Sequence, residues 1–134
     1  MAVTAKLKYT ISRIENFFSI LLTQGKVSEN IYIGELPPTT DAKMDDFVLV
    51  DVGKQSAEDA YSVGYVNIYL YARPTDTTLK KNIKKLYSME NLLDAALDGS
   101  EDKTYVLSEL YRDSGYDTTR QFHYNIIGLT VVVR

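Results

Sequence analysis

The chain has 134 residues, enough for one hydrophobic core and too few for two, so a single domain over 1–134 is expected. A net charge of −3 gives it none of the basic surplus by which a general nucleic-acid binder neutralises phosphate. With no cysteine, disulfides, thiolate zinc sites and cysteine nucleophiles are excluded.

Hydrophobic residues make up 45% and charged residues 25%, the balance of a chain that can fill a core. The start, MAVTAKLKYTISRIENFF, breaks its apolar positions with polar ones too often for a secretory signal. No stretch reaches the roughly 20 apolar residues of a membrane span, so a cytoplasmic protein is expected. Aromatic usage is skewed, with 11 Tyr, 4 Phe and no Trp. Tyrosines in such number fill half-buried strand positions or build a protein interface.

The first element is a predicted amphipathic helix over 4–24. Leu7, Ile11, Ile14, Phe18, Leu21 and Leu22 recur at spacings of three and four. Thr4 suits the N-cap and Gly25 the stop. Residues 30–34 are β-prone and end at Pro37-Pro38, because proline lacks the ladder donor. A polar, acidic loop over 39–46 follows.

FVLVDV, residues 47–52, reads as a strand, with Phe47, Leu49 and Asp51 on one face. Residues 53–64 have glycine at each end and read as a long connection or a protruding hairpin. YVNIYLYA, residues 65–72, is the clearest strand. Val66, Ile68, Leu70 and Ala72 form a core face, and Tyr65, Tyr69 and Tyr71 an outward tyrosine stripe.

A second helix is expected over 77–98, capped by Asp76 and striped by Leu79, Ile83, Leu86, Leu93 and Leu97. Its charges oppose the macrodipole: Lys80, Lys81, Lys84 and Lys85 near the N-terminus, Glu90, Asp94 and Asp98 near the C-terminus. A strand over 104–111, a turn-rich connection over 112–119 and a final strand over 120–134 complete the chain. Gly128 marks a bulge or bend in the last strand. The fold class is therefore α+β, a mainly antiparallel sheet of about five strands with two helices packed on one face.

Chemistry is sparse. His123 is the only histidine and lies within the last strand, where a strand-face or interface role is expected. One His and no Cys leave no ordinary zinc set, and Asp41, Asp45 and Asp46 lack EF-hand spacing. No Walker loop or dinucleotide fingerprint occurs. Glu58-Asp59 and Glu101-Asp102 are acidic pairs on predicted loops. Lys80/Lys84 and Lys81/Lys85 form two i,i+4 pairs, a possible basic contact face or an ordinary solvated one. No cofactor, metal or catalytic residue is expected, and the protein is not expected to be an enzyme.

Several phrases resemble the tail-terminator, or tail-completion, proteins of long-tailed bacteriophages and prophages. The segment Ile31-Tyr32-Ile33-Gly34-Glu35-Leu36-Pro37 is similar to the family's xIYxGxxP phrase. Val66-Asn67-Ile68-Tyr69-Leu70-Tyr71-Ala72-Arg73 is similar to its xVxVYAR phrase, and the element order agrees along nearly the whole chain. The resemblance implies a structural virion protein without catalytic residues. It implies a ring, usually hexameric, that caps the tail tube, ends tube polymerisation and joins the tail to a head-completion or connector protein. DNA would pass through unread, with no membrane partner, and the protein would move from bacterial cytoplasm to virion tail.

Within that picture Tyr65, Tyr69 and Tyr71 are expected at the subunit interface, since a ring needs heterologous contacts. Glu58 and Asp59 are expected to touch a neighbour or line the lumen, where they would repel phosphate. The alternatives are another phage neck or baseplate component, a small ligand-binding α+β domain with Arg73 and the tyrosines lining a pocket, or a nucleic-acid adaptor using the lysines.

Overall fold

The computed structural model describes residues 11–38, 44–57, 62–100 and 105–133. The element order is α1 (Ile11–Gln24), β1 (Ile31–Ile33), β2 (Asp46–Ala57), β3 (Ser62–Ala72), α2 (Ile83–Asp98), β4 (Tyr105–Asp117) and β5 (Phe122–Val133). The strands form one sheet in the order β1-β2-β3-β5-β4. Only β1 and β2 run parallel; the other neighbours are antiparallel. This is the α+β fold expected from the sequence.

Period-two patterning sets which face each strand buries. Val48 and Val50, Val66, Ile68 and Leu70, and Ile127, Leu129 and Val131 all point to one side. There they meet Ile14, Phe18 and Leu22 of α1 and Leu86, Met89 and Leu93 of α2. Both helices lie on that face, and at about 25 cal/mol per Å² its apolar burial is the main source of stability.

The first helix is described from Ile11, so Leu7 and the proposed Thr4 cap fall outside the described residues. Ile11, expected in the stripe, is exposed. The second helix starts later than its sequence suggests. The Asp76 carboxylate accepts from the Thr78 amide at 2.9 Å and closes a local turn instead of a helix. Leu79 then takes φ +61, outside helical space. Asn82 becomes the N-cap, its side chain accepting from the Lys85 amide at 3.1 Å. Lys80 and Lys81 therefore precede the helix, and Leu79 and Ile83 of the expected stripe are exposed.

The hairpin alternative holds for the first predicted connection, and the second proves to be mostly strand. Residues 53–57 and 62–64 extend β2 and β3, pairing Gln55 with Gly64 and Ala57 with Ser62. Gly64 sits in the ladder opposite Gln55, and Gly53 falls within a register shift between Val52 and Gln55. Residues 112–117 extend β4, pairing Arg112 with Ile127 and Asp117 with Phe122. The turn is confined to 118–121, where the Asp117 carboxylate accepts from the amides of Thr119 and Arg120, both at 3.0 Å. The bulge expected at Gly128 lies in β4 instead, between Glu109 and Tyr111, directly opposite that glycine.

Candidate functional site

The sheet face away from the helices divides into two ends. At one end Phe47, Tyr71 and Phe122 form a second, aromatic core. Phe47 stacks on Tyr71 with centroids 4.3 Å apart and meets Phe122 at 5.2 Å. Tyr32, Leu36, Met44, Leu49, Tyr69 and Tyr124 pack around them.

Leu36 and Met44, between β1 and β2, cover this core, and two arginines bond the backbone at or beside them. Arg73 donates from Nη2 and Nε to the Met44 carbonyl at 2.7 and 3.1 Å. The Arg73 guanidinium also lies 4.8 Å from the Phe122 ring centre, a cation–π contact. Arg120 donates to the Pro37 carbonyl. The two phrases singled out in the sequence both contribute to this core, one through Tyr32 and Leu36 and the other through Tyr69 and Tyr71.

The other end is open. Tyr65 is 53% exposed and Tyr111 44%, with half-buried Asn67, Tyr69, Ile126 and Thr130 between and beside them. The Tyr111 ring lies flat over Gly128, where a Cβ would meet Cε1 at 2.1 Å. Its hydroxyl donates to Asn67 Oδ1 at 2.6 Å. The β4 bulge creates this arrangement: the extra residue swings Tyr111 to the far face, where uninterrupted alternation would have put Leu110.

The expected tyrosine stripe is therefore not uniform. Tyr65 and Tyr69 reach the open end, but Tyr71 is only 6% exposed and belongs to the closed aromatic core. Burial, reinforced by Asp117, pushes the Tyr71 hydroxyl up to about 12. Tyr69 is raised as well, by burial and then by Asp51. Tyr111 is missing from the sequence reading; a glycine opposite an aromatic across two strands is the signal that could have found it.

Beside the open end runs the edge of the sheet. Among the described residues β4 has a strand neighbour on one side only, and residues 108–114 are exposed throughout. An edge of this length presents unpaired backbone donors and acceptors to another chain.

The charges expected to oppose the α2 dipole are partly neutralised within the chain. Arg112 on β4 reaches Asp94 at 2.7 Å, Glu90 at 3.0 Å and also Glu109. Hydrogen bonding to Asp94 holds the guanidinium firmly protonated, although burial opposes this. Lys85 pairs with Asp46 at 2.8 Å. The four lysines do not share one helical face: Lys80 and Lys81 lie before α2, and Lys85 is turned to Asp46.

His123 on β5 is half-buried, with Nε2 2.8 Å from the Leu79 carbonyl and its ring against Tyr116. It fastens the turn that precedes α2. Arg73 lines a cavity of about 330 Å³ with Asp45, Pro74, Thr75, Asn82 and Lys85, and no tyrosine of the far face shares that lining. A groove of about 410 Å³ lies between α2 and β4, lined by Asp94, Asp98, Glu109, Arg112 and aliphatic side chains. Among the described residues no group of three or more His, Cys, Asp or Glu could hold a metal. Nor is any described helix long and apolar enough to cross a membrane. Glu58, Asp59, Asp41, Glu101 and Asp102 lie outside the described residues.

No known protein family matches the chain, and no curated protein does.

Proposed function

We propose that the protein is a structural subunit of a bacteriophage or prophage tail. It assembles with copies of itself into a ring that caps the tail tube, ends tube growth and joins the tail to a head connector. The observation that carries this reading is the open end of the far sheet face, where Tyr65 and Tyr111 stand exposed beside β4, the last described strand of the sheet.

Large amphipathic rings on a rigid sheet suit a protein contact, because they bury much area at little entropic cost. A ring needs two different surfaces per subunit, related by a rotation that closes. The open face with its bordering edge supplies one, and Tyr65 and Tyr69 are its subunit-contact residues. Tyr71 acts behind them as support. The resemblance of the Ile31–Pro37 and Val66–Arg73 phrases to tail-terminator proteins gives the assembly its identity.

The test combines the purified protein with tail-tube protein of the same virus. Light scattering across a concentration series is expected to show a closed multimer, and electron microscopy tubes that stop growing when the protein is added. Tyr65→Asp is expected to abolish both while leaving the circular dichroism spectrum unchanged. Tubes that grow unchecked beside a protein that stays monomeric would overturn the reading.

A further inference from the structure

We infer that α2 is a second interaction surface, on which two copies of this chain pack antiparallel about a two-fold axis. The inference does not rest on the ring, because it concerns a different face of the molecule.

α2 buries Leu86, Met89 and Leu93. Its opposite side carries Lys84, Tyr87, Ser88, Asn91, Ala95 and Asp98, spaced by three and four and all exposed. Large apolar side chains flank and enter this stripe: Ile83 is 68% exposed, Tyr87 67% and Leu92 39%. An ordinary surface helix keeps such residues for its inner face.

The charges point to the occupant. The first turn of α2 has no acidic residue and the last turn no basic one, against the preference of the dipole. Glu90, Asp94 and Lys85 are matched within the chain. Lys84 and Asp98 are not: among the described residues neither makes an ion pair. They stand at opposite ends of the same exposed stripe.

A second α2 laid antiparallel and centred on Asn91 answers both. Lys84 of each copy then faces Asp98 of the other, twice by symmetry. Tyr87 falls opposite Ala95, a large side chain against a small one, which lets two helix backbones approach to about 8–10 Å. The dipoles also oppose one another. A partner with a uniformly charged face would satisfy one end of the stripe and repel the other. An isologous contact closes at two subunits and cannot build a ring, so this surface is separate from the far sheet face.

The contact is one helix wide, so the dimer belongs to the small, weak class of interfaces. The test is sedimentation velocity on the full chain over a concentration series at low and high salt. Without tube protein the wild type is expected to show a monomer–dimer equilibrium that weakens with salt. Lys84→Glu and Asp98→Lys each place like charges together twice, and each is expected to weaken dimerisation at least tenfold.

The double variant Lys84→Glu/Asp98→Lys restores opposite charges and is expected to recover most of the wild-type affinity. All the substitutions are at exposed positions and leave the fold intact. Tyr65→Asp is expected to leave this dimer untouched, which separates failure here from failure of the ring reading. A wild type that stays monomeric at every concentration would overturn the inference. So would a double variant as weak as either single one.

Discussion

Tyr71 and Tyr65 stand on the same side of the same strand, yet Tyr71 is 6% exposed and Tyr65 53%. Nothing in β3 distinguishes them. The difference comes from what lies across the sheet. Leu36 and Met44 pack over the Tyr71 end, fixed by Arg73 and Arg120 on their carbonyl partners. No described segment of the chain covers the Tyr65 end. One strand therefore serves a core at one end and a surface at the other, and the tyrosine side chain is amphipathic enough for both.

The largest effect that separates the two ends is on stability. Phe122→Ala would empty the centre of the aromatic core and strip Arg73 of its ring, at an expected cost of about 3–5 kcal/mol. Tyr65→Ala at the open end is expected to change stability by no more than about 0.5 kcal/mol. Urea unfolding followed by circular dichroism compares them directly. Equal costs would mean that the far face is a single packed layer.

Alkaline pH sharpens the same contrast with a smaller effect. Tyr71 is raised from 10.0 to about 12, chiefly by burial. A raised acid keeps its proton longer in the folded state than in the unfolded one. The Tyr71 contribution to stability is therefore constant below about pH 10, falls as pH rises from 10 towards 12, and levels above. Two units convert to about 2.7 kcal/mol, and solvent near the hydroxyl reduces this to about 1–2 kcal/mol. Tyr71→Phe keeps the ring and removes the proton, so the pH 10–12 decline is expected to shrink by that amount. A decline of the same size in the variant would place its origin elsewhere.

How much of this is legible in the sequence follows from where each signal resides. The helix-covered face is local: Val66, Ile68, Leu70 and Ala72 alternate without a break, and Ile14, Phe18 and Leu22 keep helical spacing. The order of elements is readable for the same reason. The start of α2 misleads, because Asp76-Thr77-Thr78 has the composition of a cap and uses it for a turn. The far half of β4 is hidden because an exposed edge strand carries polar residues on both faces, and Arg112, Asp113 and Ser114 then read as loop. Tyr65 and Tyr69 can be placed on the open face from alternation alone. Tyr111 cannot, since a bulge moves it there, and the burial of Tyr71 depends on Leu36 and Met44, more than two dozen positions away in the chain.

The smallest expected effect tests how the open end is built. Gly128→Ala would drive a methyl group into the Tyr111 ring, which at 44% exposure can swing aside. The cost is then the lost ring packing and the hydrogen bond to Asn67, about 1 kcal/mol. Removing the ring first changes the sign. In a Tyr111→Ala background the three atoms nearest the added methyl are gone and a flexible glycine within a strand is replaced, so Gly128→Ala is expected to be neutral or slightly stabilising. The two substitutions are thus expected to couple by about 1 kcal/mol in a double-mutant cycle of urea midpoints. Strict additivity would mean that the bulge does not hold Tyr111 against Gly128, and that the aromatic surface offered to a neighbouring subunit is Tyr65 and Tyr69 without it.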